Sequence, residues 1–309
     1  MTSLWLSLAR RAKHALAGPL LRQRARAAND LRIQRLLQAG GPTVRTAQLI
    51  LLLKYKEILK SGGDFLSFDE TELRVFSQNG EDGILLYLFA LLGTTNKKAV
   101  EICAGDGTEC NTANLVVNHG WQALMFDGSP DNVARGRAFY GKCQDTHVWP
   151  PQFVNAWITK DNIDPLICTH GYAGEIDLLS LDLDGNDYWI WQAITSIRPR
   201  VVVLEYNNLV GPERAVTIPY DPEFVASFDG TGMSYGGASL MAFVKLGREK
   251  GYRLVGCQRY GFNAFFVRDD LGTETLPEKS PADCFQHPYA THSWQTRASV
   301  IKENPWLEV

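Results

Sequence analysis

Acidic side chains follow two successive apolar runs and are the residues best suited to chemistry. One run ends in Asp182 and Asp184. The next ends in Glu205, and Asn207 lies two residues beyond it. In a doubly wound sheet, neighbouring strands end in one crevice, where such oxygens form a hard site that suits Mg²⁺ or Mn²⁺. We therefore predict a metal site at these four residues, with Asp182 also catalytic.

The acidic turn has an alternative use as a helix cap. The run 184–187 precedes a helical pattern that starts at Tyr188, and Asp and Asn are common capping residues. The capping role fits Asp187 best, because this residue directly precedes the helix, and fits Asp182 least. Asp182 therefore remains the metal and catalytic candidate.

Histidines near the C-terminus are candidates for the general base. His287 and His292 lie in a stretch rich in Pro, His and Trp with little periodicity. If this stretch folds back over the crevice, either ring could accept a proton near neutral pH. The alternative is an ordinary surface or core histidine.

A glycine-containing turn predicts a nucleotide-like ligand. The apolar run from Val100 is broken by Gly105 and Gly107 and is followed by a helical segment. About twenty residues later, a second run ends in Asp127, where an acid can bind both hydroxyls of a ribose. The turn lacks the G-x-G-x-x-G spacing of dinucleotide-binding loops.

The order of the predicted elements defines the fold class. Strands alternate with helices, which indicates a parallel sheet covered on both faces. The runs 252–258 and 263–268 predict a closing antiparallel hairpin. We predict an α/β, doubly wound, Rossmann-like sheet of seven strands, mostly parallel, with N-terminal helices. The predicted units are a helical arm (1–74), a main domain (75–270, with an insertion at 209–237) and a C-terminal tail (271–309) near the active site.

These features together resemble class I S-adenosylmethionine-dependent methyltransferases. The first motif of that superfamily, acid-x-x-x-Gly-x-Gly after the first strand, corresponds to Glu101 through Gly107. The terminal hairpin separates such sheets from ordinary dinucleotide-binding ones. Segments 77–83 and 176–187 resemble the FkbM-like group, and the resemblance spans roughly 75–270.

The resemblance implies a cofactor, a reaction and binding positions. The reaction is methyl transfer from S-adenosylmethionine to a hydroxyl of a sugar or glycan precursor, and the Mg²⁺ or Mn²⁺ predicted from the acidic residues could assist it. The implied positions follow the cofactor from its methionine end to its adenine. They are Gln78, Asp82, Glu101, Gly105, Gly107, Asp127, Gly128, Ser129, Asn155 and Ala156.

Two other functions stay open at this point. An NAD(P)-dependent oxidoreductase could use the same turn and Asp127, and a non-catalytic nucleotide-binding module could keep the fold alone. The insertion carries Tyr220, Phe224, Phe228 and Tyr235, which could form a platform for a sugar or pack the insertion down.

Charge and cysteine content limit the possible partners and the cellular compartment. The net charge is −3, yet residues 1–45 hold nine basic side chains against one acid, so the remainder is strongly acidic. An acidic body argues against nucleic acid as a partner. The amphipathic, basic segment 1–40 could contact the inner face of a membrane, or pack on the body or on a second subunit. Six scattered cysteines predict reduced thiols in a cytoplasmic protein. The sequence has no run of about twenty uncharged apolar residues, so we predict no spanning helix.

Overall fold

A seven-stranded sheet forms the centre of the protein. The computed structural model describes residues 41–229, 232–301 and 304–309, so the predictions for segment 1–40 lie outside the described residues. Strands β1 to β5, β9 and β10 make up this central sheet, and β6, β7, β8 and β11 form two small two-stranded sheets. In chain order the strands are β1 (Lys98–Ile102), β2 (Gln122–Asp127), β3 (Gln152–Asn155), β4 (Gly174–Leu181), β5 (Ile197–Glu205), β6 (Val216–Thr217), β7 (Ser227–Asp229), β8 (Gly232–Tyr235), β9 (Tyr252–Cys257), β10 (Asn263–Arg268) and β11 (Leu307–Glu308).

The central sheet has the order β3-β2-β1-β4-β5-β10-β9. Strands β1 to β5 are parallel, whereas β10 runs antiparallel to both β5 and β9. The predicted fold class is therefore confirmed, including the closing hairpin. The order reverses at β1 and β4, and the crevice outside the carboxyl ends of these strands is where open α/β sheets bind ligands.

Helices cover both faces of the sheet. They are α1 (Pro42–Ser61), α2 (Phe68–Thr71), α3 (Glu81–Leu92), α4 (Ala113–His119), α5 (Pro130–Tyr140), α6 (Ile163–Thr169), α7 (Asp187–Ala193), α8 (Leu240–Lys250) and α9 (Pro288–Ile301). Short 3-10 helices span Asn208–Val210 and Pro281–Phe285. No helix within the described ranges is long and apolar enough to cross a membrane.

Alternating residues of the inner strands supply two hydrophobic cores. On β1, Val100 and Ile102 belong to the core under α7 and α8, whereas Ala99 belongs to the core under α3 and α4. Side chains of a strand alternate between faces, so a strand buried on both sides must be apolar throughout. The polar exception on β1 is Glu101, which is 2% exposed and lies next to the crevice.

A disulfide joins β9 to the 3-10 helix at 281–285. Cys257 and Cys284 are bonded, with their Cα atoms 5.5 Å apart, and 27 residues separate them in sequence. The prediction that all six cysteines are reduced thiols is wrong for this pair. Neither cysteine belongs to a recognisable spacing motif, because it is the packing of the tail on the sheet edge that brings them together.

Candidate functional site

Three carboxylates converge where β4 and β5 end. Asp182, Asp184 and Glu205 each offer an oxygen, and these oxygens lie within 4.8 Å of one another. Burial and the neighbouring aspartates raise the pKa of Glu205 well above its usual value. Burial likewise raises the pKa of Asp182 to about 6, although a hydrogen bond with Glu205 opposes the shift. Acids held this close without a cation repel one another, and a divalent ion would relieve the repulsion.

The turn after β4 is shaped by backbone geometry and by Asp187. Asp184 adopts a left-handed backbone with φ of 56°, which aspartate tolerates better than most residues. The carboxylate of Asp187 accepts hydrogen bonds from Leu183 N at 2.7 Å and Gly185 N at 3.0 Å. Asp187 thus closes the turn at the start of α7, while Asp182 and Asp184 join the cluster.

Asn207 has a structural role in addition to the one predicted. Its Oδ1 accepts from Leu209 N at 3.0 Å, and its Nδ2 donates to the carbonyl of Gly236 at 2.9 Å. The side chain thereby caps the short 3-10 helix after β5. Both ends of the amide are thus engaged within the chain, and the metal role predicted for Asn207 stays a prediction beside the three converging carboxylates.

An acid-lined cavity adjoins the cluster. This cavity, the acidic cavity, measures about 190 Å³ and is bordered by Glu81, Glu101, Glu109 and Asp182. No lysine, arginine or histidine of the described chain is among its lining residues. Arg74 approaches Glu109 at 4.0 Å without lining the cavity. A ligand group that enters this cavity should therefore carry positive charge.

Asn263 supplies an unused acceptor to the acidic cavity. It is 6% exposed, its Nδ2 donates to Glu81 Oε1 at 2.9 Å, and its Oδ1 has no hydrogen-bond partner among the described residues. A buried acceptor without a donor costs about 1–3 kcal/mol. An amino group of a ligand would satisfy it.

The glycine turn and Asp127 are locked together. Gly105 has φ of 59°, its missing Cβ would meet no atom within 4 Å, and its N–H donates to Asp127 Oδ2 at 2.9 Å. Asp127 Oδ1 accepts from Ser129 N at 2.8 Å and from Asn132 Nδ2 at 2.9 Å. These bonds fix the acid at the tip of β2 beside open space over the turn.

Two residues predicted to bind the cofactor make structural contacts within the chain, and their cofactor role stays a prediction. A Cβ at Gly107 would lie 2.7 Å from the ring of Phe153, so this glycine permits close packing. Asp82 accepts hydrogen bonds from the backbone N–H groups of Val75, Phe76 and Ser77 at 2.6–2.8 Å. It organises the loop before α3, and burial raises its pKa to about 6. Neither residue lines the acidic cavity.

The remaining predicted cofactor residues surround the same edge of the sheet. Gln78 and Glu101 line the acidic cavity. Asn155 Nδ2 and Ala156 N both donate to the carbonyl of Asp127 at 3.0 Å. Ser129 caps α5, with its Oγ accepting from Asn132 N, and the ring of Trp157 lies over Gly128.

The predicted catalytic histidines do not enter the crevice. His287 borders a different, larger cavity, and His292 is exposed on α9. Neither lines the acidic cavity. The tail does pack near β5, because Trp294 lies against Gly211. The catalytic role of His287 and His292 stays a prediction.

The insertion packs down onto the rim of the crevice. Asn186 Nδ2 donates to Asp221 O, Trp189 Nε1 to Ile218 O and Trp157 Nε1 to Pro222 O, all at 2.7–2.8 Å. Tyr220 stacks beneath Lys160, Phe224 contacts Gly185, and Tyr235 donates to Pro305 O. These aromatic side chains serve packing, and the side chain of Phe228 lies outside the described part.

Sequence reasoning missed several residues of the acidic cavity. They are Glu81, Cys103, Glu109, Cys110, Asn111 and Asn263. Cys103 follows β1 directly, with φ of 61°, and is exposed. The dense polar run before α3 was the available signal for Glu81. No local signal marked Asn263.

Comparisons with known proteins found structural likeness only. No family model matches the chain, and no curated protein does. The chain is similar to the N-terminal domain of EvdMO1 with S-adenosylhomocysteine bound (13% identity, TM-score 0.39, 60% of this chain and 79% of that one). It is also similar to a TehB-like S-adenosylmethionine-dependent methyltransferase from Corynebacterium glutamicum (13% identity, TM-score 0.35, 72% of this chain and 98% of that one). A third similar structure is the glycopeptide N-methyltransferase MtfA complexed with S-adenosylmethionine (10% identity, TM-score 0.37, 62% of this chain and 94% of that one). Because identities and TM-scores are this low, we base the proposed function on the site.

Proposed function

We propose that the protein transfers the methyl group of S-adenosylmethionine to a hydroxyl oxygen of a sugar or glycan precursor, with a divalent cation at the acceptor. The observation that carries the proposal is the acidic cavity between the glycine turn and the carboxylate cluster. S-adenosylmethionine has a ribose whose hydroxyl can donate to Asp127 Oδ2, which accepts only one N–H within the chain, and, close to the ribose, a sulfonium and an ammonium group. Both charges suit a cavity bordered by Glu81, Glu101 and Asp182.

The negative charge of the acidic cavity argues against a dinucleotide cofactor. NAD(P) carries a diphosphate that requires backbone N–H donors or cations at the glycine turn. Here the acidic cavity beside the turn offers four carboxylates instead, and the N–H of Gly105 is donated to Asp127. Partly buried acids that converge at the tips of β4 and β5 are also costly to retain unless they are used, which argues against a module that only binds.

The residues present fit both the cofactor and a metal. The unpartnered Oδ1 of Asn263 can accept from the ammonium group of the methionine moiety. The oxygens of Asp182, Asp184 and Glu205 lie within 4.8 Å of one another, close to the roughly 4.2 Å that separates opposite ligands of Mg²⁺. Bound there, the ion would orient an acceptor hydroxyl and lower its pKa.

Asp182 connects the two halves of the site. It lines the acidic cavity and also belongs to the carboxylate cluster. It can therefore hold the acceptor hydroxyl, directly or through the cation, beside the cavity that binds the cofactor. Because no histidine of the described residues lines the acidic cavity, the proton of the hydroxyl passes to this cluster. Proximity and orientation of the two reactants supply most of the rate acceleration.

Thermal-shift measurements of the full chain test this proposal. S-adenosylhomocysteine should raise the Tm of the wild-type protein, and NAD⁺ should not. Asp127→Ala should reduce the shift, because a ribose hydroxyl donating to a carboxylate contributes about 1.5–3 kcal/mol. Asp131→Ala, which changes an acid of α5 that lines neither cavity, is the matched control. A shift with NAD⁺ alone would contradict the proposal.

A further inference from the structure

A second and larger cavity lies at the β9 edge of the sheet. This cavity, the edge cavity, measures about 590 Å³ and is bounded by residues from segments 65–69, 255–259 and 274–287. The Cys257–Cys284 disulfide holds two of its walls together. Nothing in the proposed cofactor site uses it, since the acidic cavity shares none of its lining residues.

The lining of the edge cavity combines ring and polar groups with charges of both signs: Asp69, Glu274 and Asp283 against Arg259 and Lys279. Arg259 is already paired with Glu72, and its Nη2 donates to the carbonyl of Asp69 at 2.7 Å. The carboxylate of Asp283 is occupied by the N–H and hydroxyl of Ser280 at 2.8 and 2.9 Å. Of the two basic side chains that line the cavity in the described chain, Arg259 is paired, and three acids accompany them, which disfavours a phosphate or nucleotide. Phe65, Phe68 and His287 instead offer ring surface next to hydrogen-bonding groups.

Two residues that line the edge cavity, Gln258 and His287, have a side-chain hydrogen-bond donor to offer a ligand. Gln258 is 0% exposed, its Oε1 accepts from Tyr260 N at 2.9 Å, and its Nε2 has no partner among the described residues. His287 Nδ1 accepts from Tyr289 N at 3.1 Å, which leaves Nε2 as the N–H donor of the neutral ring. A buried donor without an acceptor is costly, and hydroxyl oxygens of a ligand would satisfy it.

Exposed rings continue the surface from the cavity outward. The ring of Tyr260 lies 5.0 Å from that of His287 and 5.8 Å from that of Tyr289. Tyr260 and Tyr289 are 36% and 45% exposed. Solvent-facing aromatic faces beside hydrogen-bonding groups match the chemistry of sugar rings, which present C–H faces and hydroxyl edges.

The edge cavity also has the right position for an extended acceptor. Gln258 N donates to Asn263 O at 2.8 Å, and Asn263 is paired with Glu205 across β10 and β5. Gln258 is thus two strand spacings, about 10 Å, from the carboxylate cluster. A chain of sugar units with its reacting hydroxyl at Asp182 would reach this cavity.

We propose that the edge cavity and the adjoining rings of Tyr260, Tyr289 and His287 form a subsite for an uncharged oligosaccharide, the distal part of the acceptor. This inference rests on the proposed function, because that function makes the acceptor a glycan. The proposed acceptor is thereby extended from a single sugar hydroxyl to an oligosaccharide held along the edge of the sheet.

A glycan microarray of neutral oligosaccharides, probed with the full-length protein saturated with S-adenosylhomocysteine, tests the subsite. The best-bound glycan is then titrated calorimetrically against Tyr260→Ala and Gln258→Leu. Each variant should bind it at least tenfold more weakly. Trp149→Ala removes a 74% exposed ring near the opposite, β3 edge of the sheet and should bind as wild type.

Two results would overturn the subsite: no neutral glycan bound above background, or unchanged glycan affinity in both variants. Tyr260 is at the surface, so its variant serves even if Gln258→Leu fails to fold. Titration of S-adenosylhomocysteine into every variant separates this inference from the proposed function. Normal nucleoside binding without glycan binding removes only the subsite, whereas glycan binding without nucleoside binding removes the methyltransferase proposal.

Discussion

Asn263 and Glu81, 182 positions apart in sequence, meet in a hydrogen bond of 2.9 Å from Nδ2 to Oε1. The bond joins the first residue of β10 to the first turn of α3. It orients the free Oδ1 of Asn263 as part of the acidic cavity, next to Glu205 on β5. The closing hairpin that distinguishes this sheet thereby contributes directly to the proposed cofactor site.

Replacing Asn263 should weaken nucleoside binding. Asn263→Ala removes the acceptor proposed for the ammonium group and leaves buried Glu81 with one donor fewer, so we expect an affinity for S-adenosylhomocysteine about tenfold lower. Calorimetric titration measures it. Asn304→Ala, in the C-terminal tail outside both cavities, is the control. Equal affinities of Asn263→Ala and wild type would refute the role of Asn263.

Neutralising Asp182 should stabilise the metal-free fold. The pKa of this carboxyl is about 6 in the folded chain against an ordinary value of 3.8, so the folded state binds more protons between these values. Stability contributed by the protonated group is lost as the pH rises through about 6. Asp182→Asn should therefore raise the free energy of unfolding at pH 8 by about 1–2 kcal/mol in urea titrations with EDTA present.

Asp187 provides the contrasting variant. Its carboxylate accepts two backbone N–H groups, so Asp187→Ala should destabilise by about 1–3 kcal/mol. Mn²⁺ should raise the Tm of wild type and of a folded Asp187→Ala, but not of Asp182→Asn. An equal Mn²⁺ shift in Asp182→Asn would exclude Asp182 as a ligand.

The sequence predicts the fold of this molecule better than it predicts which residues meet in the site. Local signals sufficed for the alternating strands, for the hairpin at 259–262 and for acids at the tips of β2, β4 and β5. Apolar runs and turn residues carry that information locally. The meeting of Asn263 with Glu81, and of Cys257 with Cys284, depends on which elements pack together, and no short motif records it.

Roles within the site were harder to predict than positions. Asp82 looked like a ligand-facing acid, yet three backbone N–H groups of its own loop donate to its Oδ2, and only Oδ1 is without a partner among the described residues. Asn207 similarly caps a short helix. Polar side chains near a turn satisfy local backbone groups when these are within reach, and the sequence alone does not show which groups are.

The attachment of α1 should depend on the protonation of His119. Its Nε2 lies 2.7 Å from Gln48 Oε1 of α1, and burial lowers its pKa to about 4 from 6.5. The unfolded chain therefore binds the proton more readily, and stability is lost as the pH falls from 6.5 through 4. The effect is at most about 3 kcal/mol.

Urea titrations at pH 4.5 and 7.5 measure this effect. His119→Gln should reduce the difference in unfolding free energy between the two pH values. His147→Gln, in an exposed turn, should keep the wild-type difference. A His119→Gln profile identical to wild type would show that this ring does not govern the acid sensitivity.

The disulfide should stabilise the β9 edge. Closing a loop between residues 27 apart lowers the entropy of the unfolded chain, which corresponds to about 3 kcal/mol. Dithiothreitol should therefore lower the Tm of the wild-type protein. Cys284→Ser should start from the lower Tm and show no further change, whereas Cys168→Ser, which removes an exposed free thiol, should respond as wild type. A wild-type Tm insensitive to reductant would contradict a stabilising disulfide.

The central claim is that the acidic cavity beside Gly105 and Asp127 binds a cationic nucleoside. Its most direct test is calorimetric titration of the full-length protein with S-adenosylmethionine and, in the same buffer, with NAD⁺. We predict one saturable site for S-adenosylmethionine with a Kd in the micromolar range, about −8 kcal/mol, and no measurable heat of binding for NAD⁺. Binding of NAD⁺ without binding of S-adenosylmethionine would contradict the account.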